Sequence, residues 1–394
     1  MNPSAPISER LQCQREAFSL PPDLHYLNCA FMSPLPRVVE EEGLRGMVRK
    51  RDPSSLEPED FFRESQEVRR LFADLVNAPD PDSVAIIPSV SYGIGVAARN
   101  THLTSGQNIV LLHEQFPANV YGWRRVARER GAKIRMVGPG DGESRGRGWN
   151  ERILDAIDRD TGVVTLAPVH WTDGTVFDLQ AIGARAREVG AALVVDGTQS
   201  VGALPFDVQE LRPDALIVAS YKWLFGPYSI GVGYFGSRYL DGVPLEETWI
   251  AREGSEDFRA LVDYQNGYQP GAVRFDVGER SNFILVPMLV AALGLVLEWG
   301  PDRIQAYNRE LSRDLLEEAE SLGYALEEEA YRAGHLFGIR MPAGVKMERL
   351  KWALQRENVS ASLRGSALRV APHLYNDEED VEALRRALRF GVAG

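Results

Sequence analysis

The sequence has no excess of positive charge, and lysine is scarce in it. Fifty-six acidic against 44 basic residues leave a net charge of −12, whereas a protein that binds the phosphate backbone of nucleic acids usually has a basic excess. We therefore expect no nucleic-acid partner. Arginine supplies most of the positive charge, and the only lysines are Lys50, Lys133, Lys222, Lys346 and Lys351. Four of them have polar or charged neighbours, but Lys222 lies in an apolar stretch, and this placement requires an explanation.

Cysteine and long apolar runs are also scarce. Cys13 and Cys29 are too few for a disulfide framework and lack the spacing of a zinc site, so we expect reduced thiols and no metal. The longest uncharged run, residues 281–297, contains Pro287 and is shorter than the roughly 20 apolar residues of a membrane span. The N-terminus shows no basic segment followed by an apolar core, as a secretory signal would. These features predict a cytoplasmic protein without a membrane partner.

The length of the chain and the order of its apolar runs predict a doubly wound α/β fold. With 394 residues, 44% hydrophobic and 25% charged, the chain is long enough for about two globular domains. Most of the predicted strands are apolar throughout, which is typical of parallel strands covered on both faces. Those strands are residues 84–87, 108–112, 133–137, 163–168, 192–195, 215–219 and 231–235. Helical patterns alternate with them, so we predict an open, mainly parallel sheet.

The pattern changes near residue 281. Beyond it we predict two long helices, then a strand, a helix, a strand and a closing amphipathic helix, over residues 283–299, 303–322, 336–341, 347–357, 367–370 and 378–390. Asp377 is the expected N-cap of the last helix. We therefore predict an N-terminal segment (1–25) packed near a small α+β C-terminal domain (281–394), with a large α/β domain (26–280) between them.

Two of the predicted strands lead directly into ionisable residues, and burial would shift the pKa of each. One apolar strand runs into Asp196 and the next into Lys222. Burial raises the pKa of a carboxyl and lowers that of an amine, and a lysine with a lowered pKa is a candidate Schiff-base nucleophile. Taken alone, Asp196 is equally well explained as the cap of a turn or helix. Together, at the ends of consecutive strands, the two can face one cleft. A carboxylate for a pyridinium proton and an amine for an imine is the combination that pyridoxal phosphate requires.

A third segment offers an anion site. The predicted strand 84–87 is followed by Ser91 and the start of a helix. Free N–H groups at that helix start, together with the Ser91 hydroxyl, would hold a phosphate. An ordinary serine-capped helix explains the same pattern.

The same region also suggests a different class of enzyme. Gly93, Gly95 and Ala98 match the pattern G-x-G-x-x-A, and Glu114 lies 21 residues after Gly93, as in a dinucleotide-binding fingerprint. Pro88 and four further residues separate the strand from Gly93, whereas the fingerprint glycines form the turn itself. A nicotinamide-dependent oxidoreductase therefore stays an alternative.

The paired motifs carry a family likeness. The run Asp196-Gly-Thr-Gln199-Ser200-Val-Gly202, followed by Ser220-Tyr221-Lys222-Trp-Leu and Gly226-Pro227, resembles the class V aminotransferase family of fold-type I pyridoxal-phosphate enzymes. That family includes cysteine desulfurases, kynureninase and isopenicillin N epimerase. The likeness extends from Tyr26-Leu-Asn28 to Arg369-Val-Ala-Pro-His373-Leu-Tyr375-Asn376. It implies that residues 26–280 bind pyridoxal phosphate, that the substrate is an amino acid or similar small amine, and that the protein is a homodimer.

The resemblance also implies a role for each matching residue. Lys222 matches the lysine that forms the Schiff base and later moves the substrate α-proton, and Asp196 matches the carboxylate paired with the pyridine nitrogen. Arg369 matches the arginine that grips the substrate α-carboxylate, a bidentate task suited to a guanidinium. Asn28 is a further candidate substrate contact. The other implied cofactor contacts are Val90, Ser91, Tyr92 and Tyr221 at the phosphate, Gln199 and Thr172 at the ring 3′-oxygen, Phe116 stacked on the ring, and Ser281 and Asn282 reaching the phosphate across a dimer interface. Phe116 is explained about equally well as a core residue.

One departure from the family narrows the expected chemistry. A desulfurase needs a nucleophilic cysteine on the loop before the substrate-binding arginine, and residues 358–367 contain none. We therefore expect an aminotransferase that acts at the α-carbon of an amino acid or similar amine. A lyase or epimerase of the same family is the alternative, because all three reactions begin with the same residues. A catalytically inactive protein of this fold is disfavoured because Lys222 and Asp196 are both present.

Overall fold

The structure, a computed structural model, describes residues 10–140, 144–342 and 344–392. Its strands are β1 (His25–Tyr26), β2 (Val84–Ile87), β3 (Asn108–Leu112), β4 (Lys133–Val137), β5 (Thr161–Leu166), β6 (Ala192–Asp196), β7 (Ala215–Ala219), β8 (Gly231–Phe235), β9 (Phe337–Arg340), β10 (Val359–Ser360), β11 (Ser362–Arg364) and β12 (Ala367–Val370). Its α-helices are α1 (Arg37–Arg49), α2 (Arg63–Leu75), α3 (Val90–Asn100), α4 (Tyr121–Arg130), α5 (Arg145–Ala156), α6 (Leu179–Glu188), α7 (Val208–Leu211), α8 (Leu285–Trp299), α9 (Pro301–Ser321), α10 (Met347–Arg356) and α11 (Glu378–Val392).

Seven strands form the central sheet, in the order β2-β8-β7-β6-β5-β3-β4. The pairs from β7 to β4 are all parallel, whereas β8 runs antiparallel to both β7 and β2. The predicted mainly parallel α/β sheet is therefore confirmed. Five of its strands have the predicted bounds, and β5 and β6 differ from them by one or two residues.

The sheet is covered on both faces because its strands are apolar on both sides. Along β2, Val84 and Ile86 pack into one hydrophobic core, and Ala85 and Ile87 pack into the other. The first core is completed by α2, α5, α6 and α8, and the second by α3 and α4. Successive side chains of a strand point to opposite faces, so a run without polar residues requires helices on both sides.

Helices α1 and α2 were not predicted from the sequence. Helix α1 buries only Val39, Gly43 and Gly46 and leaves its larger apolar side chains, among them Leu44 and Met47, exposed. It packs instead through its glycines, because a Cβ at Gly46 would lie 2.3 Å from the carbonyl oxygen of Phe283, just before α8. This close approach helps to bury α8, the most apolar helix of the chain.

A helix that crosses a membrane has to be both long and apolar. Among the described residues, no single helix meets both requirements; helices Leu285–Trp299 and Pro301–Ser321, bent by 67° relative to each other, meet them only as a pair, by length and composition alone.

A smaller antiparallel sheet, ordered β11-β12-β9, lies in the C-terminal part of the chain. The N-terminal segment joins this part, because β1 pairs with β10 and the His25 imidazole lies 2.7 Å from the Asp380 carboxylate. Asp377 is the N-cap of α11, as predicted, since its Oδ1 accepts the backbone N–H of Glu379 at 3.0 Å and of Asp380 at 3.2 Å. The division into domains at residues 25/26 and 280/281 stays a prediction.

Candidate active site

A cavity of 280 Å³ opens at the carboxyl ends of the parallel strands, where doubly wound sheets bind ligands. The segments that follow β2, β3, β5, β6 and β7 line it, and the residues before the antiparallel β8 close it. Its walls include Ser89, Val90, Ser91, Gln115, Phe116, His170, Trp171, Asp196, Thr198, Gln199, Tyr221, Lys222 and Tyr228. A larger groove of 1710 Å³ lies between the N-terminal segment and helices α9 and α11, and none of the residues predicted for the site lines it.

Lys222 is held in the cavity by a tight turn after β7. Ser220 Oγ lies 2.7 Å from the carbonyl oxygens of both Pro227 and Ile230, and its one proton is donated between them, which closes the loop. The turn requires Gly226, because a Cβ there would lie 2.6 Å from Ser220 Cβ. The Lys222 side chain is 5% exposed, and its Nζ lies 5.4 Å from the centre of the Phe116 ring. Burial lowers the pKa of Lys222 to about 8, against the opposing effect of Asp196. A useful fraction of the amine is therefore neutral near pH 7.

Asp196 ends β6 and shares the cavity with Lys222. Its Oδ1 accepts the backbone N–H of Thr198 at 3.1 Å, and Thr198 Oγ1 accepts the N–H of Ala219 at 3.2 Å. These bonds tie the end of β6 to the end of β7. Burial raises the pKa of the Asp196 carboxyl, and Thr198 and Lys222 act to lower it. A cationic group opposite Asp196 would compensate the cost of burying its charge.

The amide of Gln199 is fixed in one orientation. Its Nε2 donates to the carbonyl oxygen of Ala30 at 3.1 Å, and its Oε1 accepts the indole N–H of Trp223 at 3.0 Å. A primary amide has two N–H donors, so the bond to Ala30 uses only one of them. Gln199 lines the cavity, and its bond to the ring 3′-oxygen stays a prediction.

The start of α3 forms one end of the cavity. Ser89 caps this helix, because its Oγ accepts the N–H of Tyr92 at 3.2 Å. Val90 and Ser91 are the first two residues of α3, and the first N–H groups of a helix have no intrahelical acceptor. Both residues line the cavity, as predicted. The positive end of the helix dipole and these N–H groups suit a phosphate.

Tyr92 was predicted to contact the phosphate, but it is not among the residues that line the cavity. Its hydroxyl instead donates to the carbonyl oxygen of Asp276 at 3.4 Å. The side chain of the third helical residue leaves the helix on another side from Ser91, and the sequence does not show this direction.

Gly93 also has a role other than the one that the dinucleotide pattern suggested. It lies inside α3, where a Cβ would be 2.7 Å from Ile217 Cγ2 on β7. Gly93 therefore allows the helix to pack closely on the sheet. It does not form a strand-to-helix turn, so the fingerprint geometry is missing.

The segment after β5 supplies different residues from those expected. Thr172 does not line the cavity, and its Oγ1 lies 2.7 Å from Nδ1 of the buried His170. His170 and Trp171 line it instead. The Trp171 indole packs edge-on against Phe116, with ring centres 5.5 Å apart. Phe116 is 38% exposed on the cavity wall, so it is not a core residue. The position of Trp171 just after a parallel strand was the only signal in the sequence for this contact.

Arg369 lies beside the cavity and has unused hydrogen-bonding groups. The residue is 1% exposed, and its Nη1 donates to the carbonyl oxygen of Trp171 at 2.9 Å. Its buried Nε and Nη2 have no partner among the described residues. Burial, and then the charge of Arg364, lower the pKa of Arg369 to about 10. A buried guanidinium without a counter-charge is unfavourable, so this position suits an anionic ligand.

Three predicted site residues make contacts outside the cavity wall. Asn28 Oδ1 accepts the hydroxyl of Ser362 at 2.9 Å, next to the strand that carries Arg369. Ser281 donates to the carbonyl oxygen of Phe61, and Asn282 Oδ1 accepts the N–H of Leu285 at 2.9 Å at the start of α8. None of the three lines the cavity of its own chain. The contact of Ser281 and Asn282 with a second subunit stays a prediction.

Tyr221 lines the cavity and packs against Tyr228, with ring centres 4.7 Å apart. Burial raises the pKa of its hydroxyl, so the group stays protonated and can donate a hydrogen bond. Its position agrees with the predicted phosphate contact.

Cys29 lies unexpectedly close to the site. Its Sγ is 4.0 Å from the carbonyl oxygen of Lys222, and the residue is fully buried. Burial raises the pKa of the thiol to about 12, and a buried thiol of high pKa is a poor nucleophile. Cys13 lines the separate large groove. Neither cysteine is therefore placed to carry sulfur at the site.

Comparison with known proteins agrees with this geometry. The model of the family described as aminotransferase class-V matches residues 51–384. The chain is 29% identical to an uncharacterized aminotransferase of Bacillus subtilis, YcbU, over 79% of this chain and 80% of that one. It is 26% identical to isopenicillin N epimerase of Streptomyces clavuligerus, over 94% and 95% of the two chains. The crystal structure of the cysteine desulfurase CsdA of Escherichia coli shares the fold, with a TM-score of 0.78, 21% identity and coverage of 95% and 96%.

The described residues fit pyridoxal phosphate. An amine of lowered pKa, a buried carboxylate and a helix N-terminus meet in one cavity, which is the donor set that this cofactor uses. The match of the family model over most of the chain decides between this reading and the dinucleotide alternative. The protein is thus a member of the class-V aminotransferase family, and like that family it is a pyridoxal-phosphate-dependent enzyme.

Proposed function

We propose that the protein is an aminotransferase that removes the α-proton of an amino acid or similar small amine and takes up its amino group. The observation that carries the proposal is the buried Lys222, whose pKa is lowered to about 8, in one cavity with Asp196. Pyridoxal phosphate, when bound, supplies the electron sink that acidifies the α-carbon. The chain itself has to hold the substrate, move the proton and keep the ring electron-poor.

The side chains divide these tasks by position. The neutral amine of Lys222 first binds the cofactor and, once the substrate amine has replaced it, accepts the α-proton at Nζ. The carboxylate of Asp196 holds the proton of the ring nitrogen. Arg369 offers Nε and Nη2 to the substrate carboxylate. Val90 and Ser91 have N–H groups that would hold the phosphate, and Phe116 on the cavity wall would stack on the ring.

The fate of the proton distinguishes the outcomes. Delivery of the proton to the cofactor would give amino transfer, and its return to the substrate α-carbon from the other face would give epimerisation. Loss of a substituent from the β-carbon would give elimination. Persulfide chemistry is disfavoured because residues 358–367 have no cysteine and Cys29 is buried with a raised pKa. A lyase or epimerase of the same family is the second candidate.

A single-turnover screen of amino donors tests the proposal. The protein loaded with pyridoxal phosphate is mixed with single amino acids, each deuterated at the α-carbon. An aminotransferase yields the keto acid in proportion to the pyridoxamine form of the cofactor. Ammonia and a keto acid without that form indicate a lyase, and loss of deuterium without keto acid indicates an epimerase. Either result contradicts amino transfer.

We further propose that the protein works as a cytoplasmic homodimer. Ser281 and Asn282 lie outside the cavity of their own chain, as the cross-subunit contact requires. Helix α1 nearby exposes Leu44 and Met47 by 64% and 63%, which suits a covered interface. Light scattering on the purified protein should give twice the mass of the 43.8 kDa chain; a monomer that turns over normally would contradict the dimer.

The pH dependence of cofactor capture should follow Lys222. Only the neutral amine attacks the cofactor aldehyde, so the capture rate should rise about tenfold per pH unit below pH 8 and level off above it, given the pKa of about 8. Asp196 raises this pKa, so Asp196→Asn should move the plateau to lower pH. Stopped-flow absorbance of the apoprotein mixed with pyridoxal phosphate measures both profiles. A rate that still rises steeply near pH 10 would indicate an unperturbed lysine and contradict the assignment.

Arg369→Gln should weaken substrate binding and leave the cofactor in place. Loss of a charge-assisted pair costs roughly 1.5–3 kcal/mol, so the KM of the amino acid should rise by about 10- to 100-fold. Arg369→Lys should not restore the wild-type KM, because an ammonium cannot make the bidentate contact. Steady-state kinetics and a cofactor titration on the same samples give both values. A lower cofactor affinity with an unchanged KM would assign Arg369 to the cofactor instead.

A further inference from the structure

A second arginine lies on the same face of the small sheet as Arg369. In the antiparallel pairing of β11 with β12, Ser362 lies opposite Arg369, and Arg364 is two residues further along β11. Side chains two residues apart on a strand share a face, and so do directly paired residues on neighbouring strands. Arg364 and Arg369 therefore project from one face of this hairpin.

Both arginines contact Trp171, which lines the cavity. Arg369 donates to its carbonyl oxygen at 2.9 Å, and the Arg364 guanidinium carbon lies 5.7 Å from the centre of its indole ring. Arg364 is thus on the side of Trp171 that carries the ring, and Arg369 is on the backbone side. Trp171, which lines the cavity, therefore contacts two cationic groups.

Neither guanidinium has an acidic partner. No ion pair to an aspartate or glutamate is formed by Arg364 or Arg369 among the described residues. Among the described residues, the Arg364 side chain forms one hydrogen bond, from its Nη1 to the carbonyl oxygen of Leu363 at 2.8 Å. Most arginines of comparable burial in this chain, such as Arg49 and Arg340, do pair with carboxylates.

We propose that the substrate is an amino acid with a second acidic group on its side chain, with the α-carboxylate on Arg369 and the distal acid on Arg364. This inference rests on the proposed action at an α-amino acid, and it deepens that proposal by naming the substrate class. Arg364 acts as a specificity residue, because a planar guanidinium pairs well with a carboxylate and weakly with a neutral amide.

Ligand binding tests the proposal without turnover. Glutarate carries two carboxylates and butyrate carries one on a chain of similar length. Glutarate should bind the cofactor-loaded protein about 10- to 100-fold more tightly than butyrate, as measured by calorimetry. In Arg364→Gln, the ratio of the two affinities should fall to about one. The matched control, Arg356→Gln, removes the same charge from an exposed position on α10 and should keep it.

Kinetics with paired amino acids provide the second arm. The ratio of kcat/KM for glutamate over glutamine, and for aspartate over asparagine, should be about 10 or more and should fall toward one in Arg364→Gln. Equal affinities for glutarate and butyrate in the wild type would overturn the proposal. The proposal would also be overturned if Arg364→Gln lowered the affinities for glutarate and butyrate by the same factor. Both arginines would then bind one and the same carboxylate. Tight glutarate binding without any turnover would contradict the proposed function and leave the second anion site standing.

Discussion

Replacing Lys222 with alanine should lower kcat by about 10²–10⁴-fold, the contribution of a positioned acid–base group, and should remove the yellow colour of the protein loaded with pyridoxal phosphate. Both losses have one cause. The Nζ of Lys222 is the buried amine at the cavity, with its pKa lowered to about 8, and the same atom binds the cofactor and moves the substrate proton. Absorbance spectra and single-turnover rates on the variant measure the two effects.

The control for this variant is Lys351→Ala. Lys351 is an exposed lysine on α10, away from the residues that line the cavity. It should keep the colour and the rate. The Lys222→Ala protein should remain folded, because Lys222 lines an existing cavity and its amine forms no ion pair or hydrogen bond among the described residues. A folded Lys222→Ala variant with wild-type turnover would refute the role of this residue.

The second large effect is expected for Asp196→Asn. Asparagine has nearly the same shape, and its Oδ1 can still accept the N–H of Thr198 that Asp196 now accepts at 3.1 Å. The geometry should therefore survive while the negative charge is lost. Removing a preorganised electrostatic contact at a reacting centre costs about 10²–10³-fold in kcat, and we expect a loss of that size in α-proton removal.

Two measurements on Asp196→Asn distinguish an effect on α-proton removal from an effect on cofactor binding. Exchange of α-deuterium reports proton removal directly, and a titration with pyridoxal phosphate reports cofactor affinity, which should change less. Asp241→Asn makes the same replacement of a carboxylate oxygen by an amide NH2 at an exposed position, and it should alter neither value. If Asp196→Asn lowers only the cofactor affinity and exchanges deuterium at the normal rate once saturated, then Asp196 holds the cofactor without activating it.

The sequence predicted the position of the site better than the direction of its side chains. Apolar strands bounded by turn residues gave the sheet, and the rule that ligands lie at carboxyl strand ends brought Ser91, Asp196 and Lys222 to one cavity. Tyr92 and Thr172, two of the predicted cofactor contacts, are not among the residues that line it. Their neighbours in sequence do line it, but Tyr92 turns to Asp276 and Thr172 to His170, through contacts between distant segments.

Other features depended on pairing that a single sequence does not reveal. The positions of helices α1 and α2 are set by packing on α8, although the buried face of α2, with Val68, Leu71 and Phe72, is visible as an amphipathic pattern in its sequence. The relation of Arg364 to Arg369 follows from the register of β11 on β12, and their common contact with Trp171 follows from the approach of the small sheet to the large one.

The most direct test of the central claim is to locate the cofactor on the chain. The protein loaded with pyridoxal phosphate is reduced with borohydride, digested, and the peptides are weighed by mass spectrometry. Because the sequence has only five lysines, each can be scored separately. We predict one pyridoxyl group per chain, on the peptide that contains Lys222. A label on Lys50, Lys133, Lys346 or Lys351 with Lys222 unmodified, or a chain without label, would contradict the account.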